Sequence, residues 1–194
     1  MEELFVKGMT YGWNTTRGAY RTEEAISSLQ KLKETGSEWI ALSFFALQDT
    51  YHSTSIQFDY SNTMTDRDIQ FAVNEAKKLG LKVCLKPVVN CRDGIWRARI
   101  GFPEEAVDKW EEWFESYTNF TIHYAELAKE LDCEMFCIGC EMINTEAQTV
   151  YWRELIKKVR NIYDGPVIYN ANHGSRCHWY KCLLSSCESS RRHC

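Results

Sequence analysis

Leu131-Asp-Cys-Glu-Met-Phe-Cys-Ile-Gly-Cys-Glu141 joins the end of a long periodic stretch to a short apolar run and then to a carboxylate, and its reading decides the fold. Upstream, Trp110, Phe114, Tyr117, Phe120, Tyr124, Leu127 and Leu131 recur at helical spacing. Pro103-Glu-Glu, a proline at the first helical position with acids in the first turn, predicts a helix running from there to about Leu131. Its aromatic stripe reads as packing against a sheet, not as a ligand box. Glu134 to Gly139 is a buried strand. Downstream, Thr145 to Tyr163 carries Leu155, Ile156, Val159 and Ile162 on one helical face, Gly165-Pro166 marks a boundary, and Val167 to Asn170 is another strand.

The same alternation extends back to the start. Leu4 to Tyr11 contains a first strand, and Thr22 caps a helix with Ile26, Leu29 and Leu32 on one face and Gly36 at its end. Trp39 to Phe45 is a second strand. Thr65-Asp-Arg-Asp68 resembles a capping box opening a helix with Ile69, Val73, Ala76 and Leu79 inside and Gly80 behind, and Lys82 to Val89 is a third strand. Apolar strands separated by helices imply a parallel sheet buried on both faces. A doubly wound sheet fits the length but normally shows a glycine-rich phosphate turn, which is missing here. A (β/α)₈ barrel gathers its chemistry at the C-terminal ends of the strands, where this sequence collects aromatic and polar side chains. The expectation is α/β, a partial TIM barrel of about five β-α units. Residues 1–173 form the barrel part, and 174–194 an atypical tail that lacks either periodicity and holds four of the nine cysteines. A shifted reading frame explains that tail better than a metal cluster does.

The chain of 194 residues is 44% hydrophobic and 13% aromatic, enough for a sizeable core. A net charge of −4 with both signs interspersed gives no footprint for a phosphate backbone, so nucleic acid is a poor partner. The acids at Glu2 and Glu3 and the lack of a long apolar run argue against a secretory signal or a membrane span, giving a cytoplasmic expectation with reduced thiols. Cys137-Ile-Gly-Cys140 has zinc-like spacing, but residues three apart on a strand point to opposite faces, and no helix starts at Cys137. Neither a metal nor a cofactor is expected.

Ile138-Gly-Cys-Glu141-Met places a carboxylate just past the fourth strand, where it can serve as proton donor to a leaving oxygen. By spacing alone a solvated loop glutamate is an equal reading. Three segments add to it: Met9-Thr-Tyr-Gly-Trp13, Leu85-Lys-Pro-Val-Val-Asn90-Cys-Arg-Asp93-Gly-Ile-Trp96-Arg, and Gly139-Cys-Glu141-Met. They resemble the β1, β3 and β4 segments of glycoside hydrolase family 113, over nearly everything up to about Asn172. The resemblance implies a retaining (β/α)₈ glycosidase acting on β-1,4-linked mannan, with Glu141 as general acid/base. It also implies sugar stacking on Trp13 and Trp96, hydrogen bonds from Asn90 and Asp93, and a cleft edge at Asn170 and Asn172. Many members of the wider clan carry Asn directly before this Glu, to hold a sugar hydroxyl; Cys140 stands there.

A retaining enzyme needs two carboxyl groups about 5–5.5 Å apart. The resemblance puts the nucleophile on a seventh strand, beyond the five units read here, so hydrolysis by this chain alone is not expected. An unclosed sheet would expose its edges and favour non-specific self-association. The alternative is a non-catalytic carbohydrate-binding or interaction fragment.

Overall fold

The computed structural model describes residues 5–12, 15–59 and 61–172. Five strands alternate with four helices: β1 Gly8–Tyr11, α1 Glu23–Glu34, β2 Trp39–Gln48, α2 Asp66–Lys78, β3 Lys82–Cys91, α3 Val107–Glu130, β4 Met135–Cys140, α4 Thr149–Arg160 and β5 Val167–Asn170. All neighbouring strands are parallel, in the order β1-β2-β3-β4-β5. Strand order is what separates the two architectures. A doubly wound sheet reverses its order and carries helices on both faces, whereas an unreversed order winds every helix onto one face.

The two apolar clusters show that one-sided winding. Ile40, Leu42, Phe44 and Ala46 of β2, Val83, Leu85 and Val89 of β3, Phe136 and Ile138 of β4 and Val167 of β5 pack with residues of all four helices. The alternate positions Trp39, Cys84, Met135 and Cys137, with Ala41 and Ile168 beside them, form a separate cluster holding no helix residue. Period-2 alternation thus sorts the strands into a helix-covered face and a concave interior face. The chain is a partial (β/α)₈ barrel of five units.

Helix ends follow local chemistry. The Thr22 side chain accepts from the Ala25 N–H to cap α1, and Thr65 and Asp68 form a reciprocal capping box on α2. The Asp68 carboxylate, buried, also accepts from Arg21 Nε at 2.6 Å. The long helix α3 begins at Val107, four residues after Pro103. The Pro103 carbonyl accepts from the Ala106 N–H at 3.1 Å and from Trp110 Nε1 at 3.1 Å, which makes Pro103-Glu-Glu a turn ahead of the helix. Likewise α4 starts at Thr149, after a 3-10 turn at Ile143–Thr145 whose last carbonyl accepts from Trp152 Nε1 at 2.9 Å.

One strand departs from simple alternation. Pro87 in β3 has no N–H for a ladder, and the β3–β4 pairing ends at Leu85↔Phe136, two residues before it. In β4 the register with β5 shifts between Cys137 and Cys140. A Cβ added at Gly139 would lie 2.8 Å from the Tyr169 ring and 3.0 Å from Trp152, so only glycine fits where the strand turns toward the helices. The bulge then returns Cys140 to the neighbourhood of Lys86, which stands in the interior-facing phase of β3. Strict alternation predicted opposite faces for Cys137 and Cys140; the bulge removes that separation.

Candidate active site

At the C-terminal ends of β2, β3 and β4, a cleft of about 760 Å³ is lined by residues that include Phe45, Leu47, Asn90, Trp96, Arg97 and Glu141. Glu141 is the only carboxylate lining it among the described residues. The glutamate follows the bulge directly and has φ 55°, a left-handed conformation that a non-glycine residue adopts at a cost of about 1 kcal/mol or more. Its N–H donates to the Asn170 carbonyl at 2.9 Å, which ties the strained residue to β5. The next N–H, of Met142, donates to the Tyr169 hydroxyl at 2.8 Å, and that hydroxyl donates to Glu146 Oε1 at 3.1 Å.

The Glu141 side chain is 28% exposed, and its Oε2 accepts from Arg97 Nη1 at 2.9 Å. Arg97, 3% exposed, rises from the 3-10 turn Arg97–Arg99 in the loop after β3. A buried guanidinium on Oε2 is a charge-assisted partner that restrains the carboxylate of a residue lining the cleft. That loop is itself clamped. Asp93 Oδ1 accepts from the Ile95 N–H at 2.9 Å and Oδ2 from the Tyr51 N–H at 3.2 Å, while Arg92 Nη1 donates to Asp59 Oδ2 at 2.7 Å. The two hydrogen bonds from Asn62 and Arg92, aided by the Ser61 N–H, hold the Asp59 carboxyl well below the ordinary carboxylate range.

The structure therefore brings Asn90, Trp96 and Glu141 into one cleft, with Trp96 47% exposed. Asn170 lies beside it at the end of β5, in register with Cys140. Asp93 is engaged by loop N–H groups and does not line the cleft; Asn172 is buried past the end of β5. Trp13 and the tail at 174–194 lie outside the described residues. Arg97 and Lys86 are site residues that motif reading passed over. The signals were present: an arginine directly after Trp96, and one lysine inside the apolar run Val83-Cys-Leu-Lys-Pro-Val-Val89.

Among the described residues, no group of three or more His, Cys, Asp and Glu side chains converges as a metal site. Burial pushes the Cys137 thiol up to about 11, far from the depressed values of ligating or redox thiolates. A second hollow of about 1080 Å³, with Tyr51, His52, Phe102 and Asn144 in its wall, shares Ile95 with the cleft.

Among protein families, the model described as Glycoside Hydrolase Family 113 matches residues 9–191 of the sequence. The chain belongs to glycoside hydrolase family 113. The match continues into the stretch after residue 173 that composition sets apart. A family 113 β-1,4-mannanase solved as a complex is 46% identical, with a TM-score of 0.84 over 88% of this chain and 56% of that one. A second structure of a family 113 β-1,4-mannanase is 47% identical, with a TM-score of 0.82 over 86% of this chain and 55% of that one. The family 113 β-mannanase AaManA from Alicyclobacillus acidocaldarius, in complex with ManMIm, is 43% identical, with a TM-score of 0.86 over 92% of this chain and 58% of that one. The chain thus spans little more than half the length of these family 113 structures. No curated protein matches it significantly.

Proposed function

We propose that this chain carries the acid/base half of a retaining glycoside hydrolase acting on β-1,4-linked polysaccharide or oligosaccharide of the mannan type. The observation that carries the reading is the placement of Glu141. It stands at the C-terminal end of β4, in the left-handed conformation, lining the cleft with one oxygen held by buried Arg97. A carboxyl group fixed in this way can give a proton to a glycosidic oxygen and later take one from water. The membership in family 113 and the names of the three similar structures support mannan over other β-1,4 glycans.

Within this reading Trp96 stacks on a sugar face, where an apolar ring meets the C–H side of a pyranose, and Asn90 binds hydroxyls beside it. Trp13 is assigned the same stacking role. Asp93 contributes through the loop it ties; Asn172 keeps the cleft-edge role that the family resemblance implies. The second hollow adjoining the cleft at Ile95 suits a substrate several sugar units long. Double displacement needs a nucleophilic carboxylate about 5–5.5 Å from the acid, and the cleft lining holds none besides Glu141 among the described residues.

The test is hydrolysis of β-1,4-mannotetraose and xylotetraose, followed by NMR of the first-formed anomer. The 194-residue chain is compared with the same chain fused to the C-terminal portion of a family 113 β-mannanase. The fused barrel is expected to cleave the mannotetraose with retention while the chain alone is inactive. Inversion by the fused barrel contradicts the mechanism, and preference for the xylotetraose contradicts the substrate.

A further inference from the structure

Lys86 stands in the middle of an apolar strand, is 6% exposed, and occupies the interior-facing phase of β3. A buried ammonium is costly unless its donors are satisfied. Its Nζ donates to Asn170 Oδ1 at 3.1 Å and lies against the Cys140 thiol. Among the described residues no carboxylate pairs with it. That choice of partner has a geometric consequence. An ammonium has donors and no acceptor, so the amide opposite it must present its oxygen, and Asn170 Nδ2 is turned away as a free donor. Nδ2 donates to nothing among the described residues. Asn170 is also the residue whose carbonyl accepts the Glu141 N–H at 2.9 Å, and the strand partner of Cys140. The amide donor therefore sits one strand from the acid, with its orientation fixed from behind.

We propose that Lys86 is a positioning residue that locks the Asn170 amide so that its NH₂ group donates to a hydroxyl of the sugar unit whose glycosidic bond Glu141 serves. The inference rests on the carbohydrate reading above and adds to it a residue pair that reads one substrate hydroxyl. A site built to hydrogen-bond a hydroxyl discriminates against the analogue lacking it, because the donor, covered by the bound sugar, is then left unmet.

The experiment is calorimetric titration of the full 194-residue chain with β-1,4-mannotetraose and a panel of its monodeoxy analogues. It is repeated for Lys86→Met and Asn170→Asp. Each substitution is expected to weaken mannotetraose binding roughly tenfold, the scale of one hydrogen bond. Asn170→Asp replaces the donor by an acceptor while keeping a partner for Lys86. Its thermal midpoint should therefore equal or exceed that of the parent, which separates lost recognition from lost folding. One monodeoxy analogue should bind the parent about as weakly as the variants bind mannotetraose, and the variants should not distinguish the two sugars. Asn170→Asp binding with parental affinity, variants that still discriminate that analogue, or a parent chain that binds no mannotetraose would each overturn the proposal. Asn170-dependent binding together with a fused barrel that hydrolyses nothing would leave the Lys86–Asn170 reading of a sugar hydroxyl standing and remove both the hydrolase reading and the link to Glu141.

Discussion

Glu141 combines a functional position with a strained backbone, and the two have one cause. The bulge in β4 leaves Glu141 at φ 55°, and the Asn170 carbonyl holds it there. The same turn carries the carboxylate to Arg97. The position of Glu141 after an apolar strand was legible in the sequence, because a strand end is a local pattern. Its partners Arg97 and Asn170 lie 44 and 29 residues away, and no local period reports a contact of that kind. Asp93 illustrates the reverse case. An aspartate beside a glycine reads equally as a ligand-binding or a turn residue, and its oxygens take two loop N–H groups. Asp68 gives a test at this scale. Burial opposes its charge, but the N–H and hydroxyl of Thr65 and the Arg21 guanidinium outweigh that and hold its carboxyl below the ordinary value. Asp68→Asn should cost about 1–3 kcal/mol at neutral pH by denaturant titration. A depressed folded-state value means the contribution is present above the unfolded carboxylate value of about 3.9 and is lost as pH falls through the folded one. The gap between parent and variant should therefore narrow below about pH 4; a constant gap from pH 7 to pH 3 would show that the charge is not the source.

At the scale of elements, period and capping chemistry located the five strands and four α-helices of the described residues, though not the short 3-10 turns, and the displaced boundaries have identifiable causes. Strands β2 and β3 run two to three residues beyond their apolar cores because Gln48 and Cys91 remain in register with each other. Helix α3 starts late because Trp110 takes the Pro103 carbonyl. Trp113, absent from the aromatic stripe read off the sequence, proves to be fully buried, and its Nε1 donates to Gln48 Oε1 at 3.0 Å. Gln48 in turn donates to the Thr50 and Ser53 carbonyls, so this indole anchors the start of the loop that meets Asp93. Trp113→Phe leaves a buried amide oxygen unmet and should destabilise by about 1–3 kcal/mol in denaturant titration. It should also speed proteolysis within residues 49–65. Unchanged stability would mean that the loop is not anchored through α3. Gly139→Ala is a second test. The added methyl meets Tyr169 and Trp152 closer than normal contact, and the expected loss is about 1–3 kcal/mol. A variant as stable as the parent would show that β4 can do without the bulge.

Over the whole molecule, the unreversed strand order makes one face of the sheet a concave interior, with Trp39, Cys84, Met135 and Cys137 on it, and places the chemistry of several loops at one rim. Among the described residues, strands β1 and β5 are each paired on one side only, and an open strand edge templates further pairing. Sedimentation velocity on the 194-residue chain should show mass increasing with concentration; a monomer throughout the range would contradict that expectation. The central claim is that Glu141 is the proton donor of a glycosidase. It is tested most directly by kcat/KM of the fused barrel and its Glu141→Gln variant on mannotetraose and on an aryl β-mannobioside with a strongly acidic leaving group. The account predicts a loss on the order of 10²–10⁴ for mannotetraose, and a much smaller loss for formation of the glycosyl-enzyme from the aryl substrate, whose leaving group needs no proton. Equal activity of Glu141→Gln and parent on mannotetraose would contradict it.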